Sequence, residues 1–123
     1  MQEKSSNGLK SLLNYQAKKI KESEKKLEIF ISKIIQEHPK STIILFGSRA
    51  RDDSKPYSDY DIAVFLDRLE DSLETCEKLR KLRPKGLSVD IIVLNQKDLE
   101  EPVTKAMLKN KKILYDKLKL FGK

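Results

Sequence analysis

Residues 41–46 (STIILF) are apolar or β-branched at almost every position, so neither face of the segment suits contact with water. Six residues are short for a buried helix, and branching at Cβ favours extended chain. A strand apolar on both faces needs cover on both, the condition of a central strand in an α/β fold. Two further apolar runs, residues 59–66 (DYDIAVFL) and 87–94 (LSVDIIVL), supply strands to lie beside it.

The cover is legible in the helical spacing. Leu9, Leu12, Leu13, Ile20, Leu27, Phe30, Ile31, Ile34 and Ile35 recur at steps of three and four, which predicts a long amphipathic helix over residues 9–37. His38-Pro39 ends it, because the residue before proline disfavours helical dihedrals. The stripe thins between Leu13 and Leu27, so the first half is expected to project from the domain towards another chain. Residues 49–58 (RARDDSKPYS) read as a short helical turn and a loop. Leu69, Leu73, Cys76, Leu79 and Leu82 mark a second helix ending at residues 83–86 (RPKG). Asn95 is placed to cap a further helical segment, Pro102 opens a helix to about residue 109, and Asn110 stops it. Residues 113–115 are a last short strand or helix.

A chain of 123 residues supports one core, so a single domain over 1–123 is expected, with 1–24 as a helical extension suited to partner contact and 117–123 as a basic tail. Lys and Arg total 26 against 19 Asp and Glu, a net charge of +7 that attracts nucleotides, nucleic acid or an acidic protein. Most of the excess is lysine spread along helices, the distribution of a solvated face rather than of a nucleic-acid groove. Cys76 is the only cysteine, which excludes an intrachain disulfide and suits a reducing compartment. No apolar run has the length of a membrane span or a signal-peptide core, and a cytoplasmic protein is expected.

Three carboxylates interrupt the apolar runs: Asp59 and Asp61 at the start of the second, Asp90 within the third. Alternation along a strand puts Asp59 and Asp61 on one face. Two partly desolvated like charges repel unless a cation sits between them. Without a His or Cys cluster beside them, oxygen ligands point to Mg²⁺. Gly47-Ser48 ends the first strand just before a helical turn, where backbone N–H groups can meet a phosphate, and Arg49 and Arg51 follow. A nucleoside triphosphate could bridge this turn and the acids through its metals, and Asp90 could hold a second ion or take the proton of an attacking hydroxyl. A G-S pair at this distance from D-x-D arises in roughly two of a thousand shuffles of this composition.

At Gly47-Ser48, Asp59-x-Asp61 and Asp90 the sequence resembles the minimal nucleotidyltransferase (MNT) proteins of the DNA polymerase beta superfamily, over roughly residues 25–116. The resemblance implies an α/β (α+β) nucleotidyltransferase fold, a small mixed sheet of three to four strands flanked by helices. It assigns Gly47 and Ser48 to the triphosphate, Asp59 and Asp61 to Mg²⁺ and Asp90 to completing the catalytic site. The charge of Arg49 and Arg51 beside the turn adds them to the nucleotide-binding set, and Asp90 makes a second Mg²⁺ ion expected. Many such proteins pair with a HEPN-domain toxin. The implied activity is therefore that of an antitoxin transferring AMP from ATP to a tyrosine hydroxyl of that partner. Asp52 stands where the family usually has Gly. A contact-only antitoxin with a vestigial nucleotide site is the alternative, and a nucleic-acid-binding domain a third.

Other residues read more simply. Arg49 and Arg51 also suit surface salt bridges, His38 suits a helix end, and Cys76 suits the apolar stripe of its helix. Of Tyr57, Tyr60 and Tyr115, Tyr57 is best placed to stack on a base, and no residue selects which base.

Overall fold

The computed structural model describes residues 2–51 and 59–121. Helix α1 (Gln2–Glu37) is followed by β1 (Ser41–Phe46), a 3-10 turn (Gly47–Arg49), β2 (Tyr60–Leu66), α2 (Ser72–Arg80) and β3 (Val89–Asn95). A second 3-10 turn (Gln96–Glu100), α3 (Pro102–Met107) and β4 (Lys112–Asp116) complete the order. The four strands form one mixed sheet in the order β3-β2-β1-β4. Strand β1 runs antiparallel to both β2 and β4, whereas β2 and β3 are parallel and joined through α2. The expected α/β fold with a small mixed sheet is therefore present, and residues 113–115 are part of a strand.

Alternation splits the strands between two cores. On one face Ile43, Ile62, Val64 and Ile91 pack against Phe30 and Ile34 of α1 and Leu79 of α2. On the other, Ile44, Ala63 and Phe65 lie under Leu108, with Leu118, Leu120 and Phe121 packed against them. Both faces of β1 are thus buried, as its composition requires.

Helix α1 begins before the apolar spacing predicts, since no proline precedes Leu9 to interrupt a helix that is already nucleated. It stops as expected: the His38 amide still donates to the Ile34 carbonyl at 2.8 Å, and Pro39 follows. Helix α2 starts at Ser72 rather than Leu69 because the Asp71 carboxylate accepts from the Glu74 amide at 3.0 Å and caps it. Asn95 begins the second 3-10 turn in a reciprocal capping box with Asp98. Cys76 is half-buried against the first core, its Sγ donating to the Ile91 carbonyl at 3.3 Å.

Residues 117–121 fold back onto the sheet. The Asp116 carboxylate accepts from Thr42 Oγ1 at 2.7 Å and from the amides of Leu120 and Phe121 at 2.9 and 3.0 Å. Lys119, at φ 57°, makes the turn, and the Phe121 ring meets Phe65 edge-on with centroids 6.3 Å apart. Among the described residues, no helix is long and apolar enough to cross a membrane.

Asp116 therefore fastens the segment that covers the second core. Asp116→Ala is expected to lower unfolding stability by about 3 kcal/mol. Denaturant titration reads the total, and hydrogen exchange should show protection lost first at the Leu120 and Phe121 amides.

Candidate active site

The strand register brings the end of β1 to the start of β2. Phe46 pairs with Asp61 across the antiparallel ladder, and Asp61 pairs with Asp90 across the parallel one. Paired residues share a face, so Asp61 and Asp90 lie side by side on the face that carries Ala63 and Phe65 further along β2. The apolar cover of that face gives way to carboxylates at the end nearest Gly47. Asp59 immediately precedes β2, is exposed, and acts electrostatically on Asp61. Asp59, Asp61 and Asp90 are thus gathered at one end of the sheet.

Gly47 joins them directly. Its φ of 75° lies in the left-handed region, which favours glycine. A Cβ at this position would also overlap the Asp61 carboxylate, with Cγ only 3.1 Å away. Two independent constraints therefore require glycine here. Beyond it the chain tightens into the 3-10 turn, with the amides of Ala50 and Arg51 donating to the Gly47 carbonyl at 3.1 and 3.2 Å. No side chain caps the start of this turn, which includes Ser48.

Burial, then the Asp90 carboxylate, then that of Asp59 raise the Asp61 pKa above its ordinary value, against the lowering pull of Arg51. A divalent cation would reverse the two like-charge effects, and an all-oxygen donor set fits Mg²⁺. Among the described residues, no three His, Cys, Asp or Glu groups are already drawn to the separation at which they could ligate one ion. Mutual repulsion opposes such a separation in the absence of the ion.

The two arginines have different surroundings. Arg51 acts on Asp61, so it belongs to the acidic end. The Arg49 guanidinium lies 4.2 Å from the centroid of Tyr60, a side chain buried in the first core, on the face opposite Asp61. Tyr60 is therefore covered by Arg49 rather than exposed for base stacking. Tyr115 donates its hydroxyl to the Pro39 carbonyl at 2.7 Å, near the start of β1. His38 lies at that same end, about 20 Å from Gly47 along a six-residue strand. Asp52 and Tyr57 lie outside the described residues.

Residues 30–119 match the family described as Polymerase beta, Nucleotidyltransferase. The chain belongs to that family. No curated protein matches the sequence. A solved structure of a candidate nucleotidyltransferase from Sulfolobus solfataricus is similar at a TM-score of 0.64 and 21% identity, covering 85% of this chain and 89% of that one. A toxin-antitoxin structure with AMP-PNP is similar at a TM-score of 0.50 and 25% identity, covering 71% of each chain. The end of α1, the mixed sheet and the turn after β1 thus lie within a nucleotidyltransferase-family domain.

This nucleotidyltransferase domain has a basic cleft that sequence reasoning missed. Arg51 and Ala50 line about 610 Å³ together with Lys109, Asn110 and Lys111. Pairing of Leu45 with Lys112 sets the residues before β4 beside those after β1. The Lys111 ammonium also lies 4.9 Å from the Phe121 ring centroid. The three lysines among residues 109–112 were the available signal, but their position depends on a strand pairing across more than sixty residues.

Two measurements probe this site in metal-free buffer. A carboxyl whose pKa is raised by folding is most compatible with the fold below its unfolded pKa and opposes it as pH rises through the folded one. Asp61→Asn should therefore raise the thermal midpoint at pH 7, with the gain vanishing below the ordinary value of 3.8. Gly47→Ala should cost about 2–4 kcal/mol, falling to about 1–2 kcal/mol in an Asp61→Ala background, where the backbone cost alone remains. Equal costs in the two backgrounds would remove the contact.

Proposed function

We propose that this domain transfers AMP from ATP to a hydroxyl, most simply a tyrosine, of a partner protein. The proposed partner is a HEPN-domain toxin that the transfer neutralises, in a reducing, cytoplasmic setting. The observation that carries the reading is the apposition of Gly47 and Asp61 beside Asp90, within a nucleotidyltransferase family domain. The similar toxin-antitoxin structure with AMP-PNP supports both a nucleotide and a protein partner.

Each residue has a chemical part in this reading. The uncapped turn at Gly47 and Ser48 directs backbone N–H groups to the triphosphate, and Arg51, Lys109 and Lys111 supply positive charge in the cleft beside it. Arg49 contributes to the local field while its guanidinium stays on Tyr60. Asp59, Asp61 and Asp90 would hold Mg²⁺, which when bound offsets charge on the phosphates and polarises the α-phosphate. The acceptor oxygen bonds to the α-phosphorus as the bond to the β-phosphate oxygen breaks, and pyrophosphate leaves. Asp90, the exposed member of the trio's strand pair, takes the hydroxyl proton.

The helical extension over residues 1–24 is proposed to serve the protein acceptor, whereas a polymer template would need a grip that this reading does not assign. A contact-only antitoxin is the second reading, favoured by Asp52, a negative charge next in sequence to Arg51 where the family usually has glycine. Binding to nucleic acid is disfavoured, and a steep fall in affinity with salt would be its mark.

With α-labelled ATP, Mg²⁺ and the protein encoded by the neighbouring gene, label should pass to that protein. Asp61→Asn should reduce transfer at least a hundredfold while the fold persists. Undiminished transfer removes Asp61 from the chemistry. Silencing of the partner without transfer, and no thermal stabilisation by ATP with Mg²⁺, would select contact alone. Lys109→Ala with Lys111→Ala should weaken that ATP stabilisation.

A further inference from the structure

We propose that the overhanging half of α1 docks an amphipathic helix of a partner protein, one whose apolar seam is flanked by acidic side chains. The proposal rests on the protein-partner reading above and specifies the surface and the chemistry of that partner. At 36 residues, α1 is about 54 Å long, whereas the strands it covers span about 20 Å. Its packing on the sheet involves Leu27, Phe30, Ile31, Ile34 and Ile35. The N-terminal part therefore extends well beyond the sheet.

The apolar stripe does not end where the sheet ends. At about 100° per residue, Leu9, Leu13 and Ile20 project within about 40° of the direction of Leu27, and Leu12 lies about 60° to one side. The stripe, interrupted by Gln16 and Ser23, thus has a buried half and an open half. Leu9, Leu12 and Leu13 are 59%, 53% and 54% exposed, against complete burial of Phe30 and Ile34. Over residues 9–20 the apolar anchors fall at i, i+3, i+4 and i+11, about three turns of helix, with Gln16 at i+7; the first three match the start of the spacing with which amphipathic helices pack.

Charge identifies the occupant. Residues 9–21 contain Lys10, Lys18, Lys19 and Lys21 and no acidic residue. Lys10 and Lys21 flank the stripe on one side at about 100–120°, and Lys19 flanks it on the other at about 80°. A second copy seated on the same segment would set lysine against lysine, which disfavours self-pairing. A lipid surface favours a broad apolar face, whereas this seam narrows to Ile20 and then Ser23 before Leu27. A seam of apolar residues between glutamates or aspartates complements both the leucines and their flanks.

The test uses the full chain and two synthetic leucine-heptad helices of equal length, one flanked by glutamate and the other by lysine. The glutamate helix should bind at least tenfold more tightly by fluorescence anisotropy. Leu12→Ser with Leu13→Ser should weaken it at least tenfold with circular dichroism unchanged, and Lys10→Glu with Lys21→Glu should reverse the preference. Equal binding of both helices, or binding indifferent to the leucine substitutions, overturns the proposal. Binding to phosphatidylserine vesicles without binding to the glutamate helix, or self-association through Leu12 and Leu13 by sedimentation, also overturns it. Asp61→Asn should leave helix binding unchanged, so loss of AMP transfer alone counts against the catalytic reading and loss of helix binding alone against this one.

Discussion

The carboxylate of Asp61 occupies space that a side chain at residue 47 would need, and the rest of the site depends on that contact. It exists because β1 and β2 are antiparallel with Phe46 opposite Asp61, so the chain leaving one strand turns beside the start of the other. Glycine at 47 permits both the approach and the left-handed turn. The parallel neighbour β3 then adds Asp90 on the same face. A glycine turn and a group of acids become adjacent through backbone pairing, before any side chain selects a rotamer.

The same sheet explains why the acids remain accessible. Its second face is dry where Ile44, Ala63 and Phe65 meet the returning segment after β4, and that segment is held by Asp116. The row continues from Phe65 through Ala63 to Asp61, so one strand face passes from packed core to charged site within five residues. The cost is visible at Asp61, whose charged form is disfavoured by burial and by two neighbouring carboxylates. Such a conflict makes a cation the simplest complement to the site, as the proposed function requires.

Much of this was readable locally. Strand β1 was marked by apolar residues on both faces, and Gly47, Ser48, Asp59, Asp61 and Asp90 by their intervals along the chain. What escaped was nonlocal. Arg49 and Arg51 look equivalent in sequence, yet one meets Tyr60 on the opposite face and the other acts on Asp61. Lys109 reads as the end of a helix and Lys111 as a residue beyond its stop until β4 pairs with β1 and brings both to Arg51. Residues 117–121 read as part of a basic tail over 117–123, because Thr42, a partner of Asp116, lies far away in sequence.

Helix α1 couples the two scales. Its C-terminal half is ordered by tertiary burial, with Phe30 and Ile34 completely enclosed, so its direction is set by the sheet. A helix that is continuous through Gln2–Glu37 transmits that direction to its exposed half without a hinge. Leucines on the open half therefore stand at a defined bearing from Asp61, and a partner helix docked on them would be held by the same rigid element that backs the proposed active site. Recognition placed on the core helix, rather than on a loop, would present an acceptor hydroxyl with less orientational freedom to lose before transfer.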